Sequence, residues 1–81
     1  MASEVNVQKA TVLGGGSFGT AVANILAENG FQVNLWMRNE QTISEIAEIR
    51  ENKQYLPGVK LHDNITATND LEGAITGAVA V

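Results

Sequence analysis

Residues 11–20 read TVLGGGSFGT and run straight into AVANILAENG. Four of the eight glycines, Gly14, Gly15, Gly16 and Gly19, fall in this one stretch. The pattern is G-x-G-x-x-G, placed after an apolar run and before a helix-forming segment, which is the context that makes it meaningful. Gly14 permits a tight turn off a strand. Gly16 has no Cβ, so a pyrophosphate can come close to the backbone. Gly19 lets the new helix pack against the strand. The free N–H groups of the helix start, helped by the helix dipole, then face the phosphates. The feature points to a nucleotide cofactor.

The surrounding pattern supports that context. Lys9 to Leu13 reads as a short buried strand ending at the glycines. Ser17 to Asn29 reads as a helix, with Phe18, Val22, Ile25 and Leu26 as its apolar face and Asn24 and Glu28 on another. Asn29-Gly30 ends it, with Gly30 as a left-handed cap. Phe31 to Met37 alternates Val33, Leu35 and Met37 against Asn34 and Trp36, which predicts a second strand. Asn39 or Thr42 can cap the next helix, and Thr42-x-x-Glu45 fits a capping box. Ile43, Ile46, Ala47 and Ile49 supply its apolar face.

Residues 52–64 lack periodicity and hold the only proline, in Tyr55-Leu56-Pro57-Gly58, so they read as a loop with a turn at Pro57-Gly58. Ile65 to Thr68 is a β-branched strand candidate. Asn69 or Asp70 caps a brief helix through Thr76, Gly77 ends it, and Ala78 to Val81 starts a further apolar strand. The order β-α-β-α-loop-β-α-β predicts an α/β fold, a parallel sheet with flanking helices. A chain of 81 residues is at most one small domain. The expectation is the truncated first half of a dinucleotide-binding domain, incomplete over residues 1–81.

Composition narrows the function classes. There is no cysteine, so disulfides and thiolate chemistry are excluded and a reducing compartment fits. Residues 1–10 mix Glu4, Asn6 and Gln8 with small residues, unlike a signal peptide, and no apolar stretch is long enough to cross a bilayer. The net charge of −4 comes from the second half: Glu4 and Glu28 balance Lys9 and Arg38, and the excess lies beyond Asn39. An acidic second half argues against broad nucleic-acid binding, which needs many phosphate contacts. The neutral first half leaves the glycine loop without charges that repel an anion.

Three glycine motifs compete. A Walker A loop requires lysine where Thr20 stands. LGGGSFG mimics a protein-kinase loop, but that loop lies in a hairpin and precedes a strand carrying V-A-I-K. Here an alanine- and leucine-rich segment follows, with no lysine until Lys53. The Rossmann fingerprint fits on both sides, with a second strand about 20 residues on. Most NAD sites carry an acid at the end of that strand. This chain has Trp36-Met37-Arg38-Asn39, with Glu40 the first acid. A guanidinium there can pair with a 2′-phosphate and stack on adenine, so Arg38 favours NADP over NAD. The plain alternative is a solvated arginine at a strand end.

Taken together, GGGSFGTAVANILAENG, LWMRN and ENKQYLPGVKLH resemble the N-terminal part of bacterial NAD(P)-dependent glycerol-3-phosphate dehydrogenase, over residues 9–81. The resemblance implies an oxidoreductase that reduces dihydroxyacetone phosphate to sn-glycerol 3-phosphate for glycerophospholipid synthesis in the cytoplasm. It implies that Ser17 offers a hydroxyl and an N–H to the pyrophosphate and that Phe18 covers the inner side of the cofactor. It places Arg38 at the adenosine 2′-phosphate and gives Tyr55, in the YLPG loop, a weaker cofactor-side role. For Phe18 the alternative is a core residue anchoring the helix start, and for Tyr55 a packed loop aromatic.

The catalytic lysine of the family and its substrate-phosphate ligands belong to later segments, so no catalytic residue is expected here. Lys9, Lys53 and Lys60 read as solvated surface groups. His62 beside Asp63 is one imidazole with one carboxylate, short of the three or more ligands of a metal site. The expected partners are the dinucleotide, a small phosphorylated substrate in the full-length parent and, as one option, a second copy of the chain; nucleic acid and membrane insertion are not expected. Two other readings stand beside the dehydrogenase: a non-catalytic dinucleotide sensor, and an NADP-binding relative of the hydroxyacid dehydrogenases or ketol-acid reductoisomerases.

Overall fold

The computed structural model describes residues 8–80. Most of residues 1–10, read as unlike a signal peptide, and Val81, read as part of the last strand, lie outside them. Seven elements follow one another: β1 (Lys9–Leu13), α1 (Ser17–Glu28), β2 (Gln32–Trp36), α2 (Glu40–Ile49), β3 (Ile65–Thr68), α3 (Leu71–Ile75) and β4 (Val79–Ala80). The strands form one sheet in the order β3-β2-β1-β4. All three pairings are parallel. Thr11 sits opposite Asn34 on one side and Ala80 on the other, and Val33 opposite Ile65. The order reverses at β1, and the glycine loop leaves the C-terminal end of that strand. In doubly wound sheets this is where a ligand crevice opens.

Strand alternation sorts the two faces. Val12, Val33, Leu35, Met37 and Ile65 form the core with Ala23 and Ala27 of α1, Ile46 of α2 and Leu61 of the loop. The opposite face is more polar and carries α3. There the Thr11 hydroxyl and, at 3.3 Å, the Asn34 side-chain amide both donate to the Ala74 carbonyl. Trp36 Nε1 donates to the Asn69 carbonyl at 3.1 Å. Full burial of a side chain such as Leu35 or Ile46 contributes about 1.5–3 kcal/mol.

The apolar face expected of α1 holds for Val22 and Leu26, which pack on the core, and fails for Phe18 and Ile25. The buried residues are Thr20, Ala23 and Ala27, with Val22 and Leu26 packed at the flank. Phe18 is 82% exposed and Ile25 60% exposed. At 100° per residue Phe18 lies roughly 180° around the helix from Ala27. Small side chains let the helix lie close to the sheet, and the large apolar ones are left outside. The helix stops at Glu28 rather than Asn29. Gly30 (φ +96°) donates to the Ala27 carbonyl at 3.0 Å and Phe31 to the Leu26 carbonyl at 3.1 Å, the two bonds of a Schellman cap.

Asn39 caps α2, its side-chain oxygen accepting from the N–H groups of Gln41 (2.9 Å) and Thr42 (3.1 Å). Thr42 is inside the helix and buried, and Glu45 accepts from the Lys53 N–H instead, so there is no capping box from Thr42 to Glu45. Ile46 is buried and Ile43 partly so, but Ala47 and Ile49 are exposed, against expectation. The stop of α2 is Arg50, left-handed at φ 56°. Its guanidinium donates to the carbonyls of His62 and Ile65 (2.7 Å), which repays the backbone strain with bonds across the loop. Asp70 caps α3, accepting from Gly73 N–H at 3.1 Å.

Candidate functional site

The glycine loop is built by four different demands. Gly14 has φ +114°, a conformation that a Cβ disfavours, and its N–H closes the ladder on the Trp36 carbonyl at 2.9 Å. A Cβ on Gly19 would collide with the Gly14 carbonyl oxygen, so α1 can approach β1 only without one. A Cβ on Gly15 would lie 2.7 Å from the Met37 Cε. Gly16 is different: its φ is −74° and a Cβ there would meet nothing within 4 Å. Its lack of a side chain serves open space, not the fold.

Gly16 is the N-cap of α1, and no side chain caps that end. The first turn carries no acidic residue. The first N–H groups of a helix have no partner within it, so those of α1 are left to an external acceptor. The end of α1 is therefore an anion-favouring terminus, and its N-cap Gly16 lines a cleft.

Two clefts meet at this loop. One, of about 430 Å³, is walled by Gly14, Gly15 and Gly16, by Trp36 to Asn39 at the end of β2, and by Thr42 and Tyr55. The other, also about 430 Å³, runs along Val12, Leu13, Ser17, Phe18 and Val22 on the far side of the loop. The expected residues are thus brought together in two groups. Gly14, Gly16, Arg38 and Tyr55 share the first cleft, and Ser17, Phe18 and Gly19 line the second.

Ser17 is exposed at the helix start. Phe18, so open to solvent, is no core anchor. Arg38 is exposed, with its guanidinium carbon 5.6 Å from the centre of the Trp36 ring. Among the described residues no carboxylate pairs with it. Tyr55 is 44% exposed, on a loop held by three carboxylate or amide contacts. Glu45 accepts from Lys53 N–H at 3.0 Å, Asn52 from Tyr55 N–H at 3.3 Å, and Glu51 from Gly58 N–H at 2.9 Å.

Lys9, Lys53 and Lys60 are exposed, as expected. His62 faces Glu28 at 3.9 Å rather than a ligand cluster. Its backbone N–H donates to Asn24 Oδ1 at 3.0 Å, so Asn24 ties α1 to the loop. Among the described residues no helix is long and apolar enough to cross a membrane.

Three contributors were not apparent from sequence: Asn52, Thr20 and Met37. Asn52 is fully buried and donates to the Gly15 carbonyl (2.9 Å) and to the Thr20 hydroxyl (3.0 Å). Nothing in an aperiodic ENKQ stretch distinguishes a buried asparagine from an exposed one.

Residues 9–81 match the model of the family described as NAD-dependent glycerol-3-phosphate dehydrogenase N-terminus. The chain is 56% identical over 72 residues to a glycerol-3-phosphate dehydrogenase [NAD(P)+] of Alcanivorax borkumensis, covering 89% of this chain and 21% of that protein. It is 58% identical over 66 residues to the enzyme of the same name from Saccharophagus degradans, covering 82% and 18%. The crystal structure of glycerol-3-phosphate dehydrogenase from Coxiella burnetii superposes with a TM-score of 0.81 at 32% identity, over 89% of this chain and 22% of that one. The Plasmodium falciparum enzyme gives 0.78, also at 32% identity, over 89% and 23%. The chain spans about a fifth of the length of the curated relatives it matches. The family-model match runs from β1 through the glycine loop and α1 to the end of the chain. On sequence and fold alike, the chain belongs to the NAD-dependent glycerol-3-phosphate dehydrogenase family, as its N-terminal region.

Proposed function

We propose that this chain is the cofactor-holding segment of an oxidoreductase that interconverts dihydroxyacetone phosphate and sn-glycerol 3-phosphate with NAD(P)H. The observation that carries the reading is the uncapped α1 N-terminus, with the open Gly16 backbone, at the point where the sheet order reverses. The dinucleotide supplies the hydride when bound; the chain binds and orients it. Gly14 to Gly16, the first N–H groups of α1 and Ser17 would hold the pyrophosphate. Gly19 keeps that helix against the strand. Arg38 and Tyr55 would hold the adenosine end, and Phe18 would cover another part of the cofactor.

Arg38 favours NADPH over NADH. It stands where an acid would bind the ribose hydroxyls, and its stacking on Trp36 leaves the donor edge of the guanidinium free for a 2′-phosphate. None of these residues performs proton transfer to the ketone. The substrate and its reaction belong to the rest of such an enzyme.

A chimera tests the reading: this segment joined to the remaining sequence of the Alcanivorax borkumensis relative. NADPH oxidation that depends on dihydroxyacetone phosphate, at a rate near that of the relative, is the expected result. A folded chimera that neither binds NADPH nor turns over would refute it.

A further inference from the structure

Asn52 connects parts of the molecule that the cofactor reading treats separately. Its amide nitrogen donates to the Gly15 carbonyl at 2.9 Å and to the Thr20 hydroxyl oxygen at 3.0 Å. The Thr20 hydroxyl itself donates to the same Gly15 carbonyl at 3.2 Å. On its other side Asn52 Oδ1 accepts from the Tyr55 N–H at 3.3 Å, and its main-chain oxygen accepts from Leu56 N–H at 2.8 Å. The orientation of the amide is fixed by these partners, since a carbonyl only accepts and a backbone N–H only donates. Both Asn52 and Thr20 are fully buried, so the bond between them has no competing water.

The consequence follows from peptide geometry. The Gly15 carbonyl and the Gly16 N–H belong to one planar trans peptide and point in opposite directions. Holding the carbonyl inward on Asn52 and Thr20 therefore turns the Gly16 N–H outward, toward the crevice. The same side chain holds the Tyr55 segment at a set distance from the loop. Resting on the dinucleotide reading above, we propose that Asn52 is a positioning residue for the pyrophosphate: it fixes the peptide that presents the Gly16 N–H, and with Thr20 it locks the loop to the Tyr55 wall before any ligand arrives.

Asn52→Asp tests this, because it keeps the shape and replaces the donor by an ionisable acceptor. The probe is ADP-ribose, titrated calorimetrically into the chain at about pH 8 and about pH 5.5, a window chosen above the ordinary range of adenine and pyrophosphate protonation and spanning that of a buried carboxyl. Wild-type affinity is expected to be the same at both. The variant is expected to bind about tenfold or more weakly at high pH, because a carboxylate repels the Gly15 carbonyl. On acidification it regains affinity, since the neutral carboxyl can again donate. A folded variant with wild-type affinity at high pH, or a loss that acid does not reverse, would overturn the proposal.

Should circular dichroism show that Asn52→Asp does not fold, Thr20→Val and Thr20→Ser decide. The valine variant is expected to bind several-fold more weakly and the serine variant like wild type; wild-type affinity in the valine variant would overturn the proposal. The wild-type arm separates this inference from the reading beneath it. Wild-type chain that fails to bind ADP-ribose overturns the dinucleotide reading and the role of Asn52 with it. Binding by wild type and by Asn52→Asp alike overturns the role of Asn52 alone.

Discussion

The guanidinium of Arg38 stacks over the indole of Trp36, with 5.6 Å between its central carbon and the ring centre. The indole is itself tethered through Nε1 to the Asn69 carbonyl at 3.1 Å. Arg38 thus lies over an anchored ring at the mouth of the cleft. A guanidinium presented in this way offers its N–H edge to a phosphate while its face is occupied.

Arg38→Ala is expected to weaken NADPH by about tenfold or more and leave NADH nearly unchanged, the loss of a charge-assisted bond to a group that only NADPH carries. Parallel titrations with the two cofactors check this. Equal losses would place Arg38 on a part of the molecule that both share.

Gly16 and Gly19 are expected to fail differently. Gly16→Val adds a side chain to empty space at an ordinary φ, so helix content survives while dinucleotide binding is abolished. Gly19→Ala drives a methyl into the Gly14 carbonyl oxygen and should lower stability by about 1–3 kcal/mol as well as binding. Thermal melts beside NADPH titrations distinguish the two. A Gly16→Val variant that binds normally would remove the pyrophosphate from the loop.

Phe18 is exposed enough that Phe18→Ala should change stability by no more than about 0.5 kcal/mol. If the cofactor runs past it, NADPH binding is expected to fall several-fold. A variant less stable but unchanged in binding would make the ring a packing residue after all.

Asn39 satisfies two N–H groups at the start of α2. Asn39→Ala is expected to cost about 1 kcal/mol, read from denaturant unfolding at constant m. Thr42→Ala, by contrast, removes a buried side chain within the helix and no cap, so any loss there reflects packing.

The sequence reading and the structure agree where a local rule decides. The glycine spacing, the alternation of Val33, Leu35 and Met37, the Gly30 cap and the Asp70 cap are each set by a few neighbouring residues. The departures have one cause: tertiary contact chooses among locally equivalent options. Hydrophobicity favours Phe18 and Ile25 as the inner face of α1, but the sheet accepts Thr20, Ala23 and Ala27 because they are small. Arg50 ends α2 in a conformation that glycine or asparagine usually supplies, since its guanidinium reaches the carbonyls of His62 in the loop and Ile65 at the start of β3. Asn52 belongs to the same class, its partners lying 37 and 32 residues away. The loop, Arg38 and Tyr55 could be named from sequence as candidates; the bonds connecting the loop to Tyr55 could not.

The central claim is that the dinucleotide sits on the glycine loop and the α1 N-terminus. Amide NMR of the chain during titration with ADP-ribose tests it most directly. The expected result is saturable shift changes concentrated at Gly14, Gly15, Gly16, Ser17 and Phe18, with a second group at Arg38 and Tyr55. Saturable binding whose changes fall elsewhere, such as along Ser44 and Glu48 on the outer side of α2, or no change at all, would contradict it.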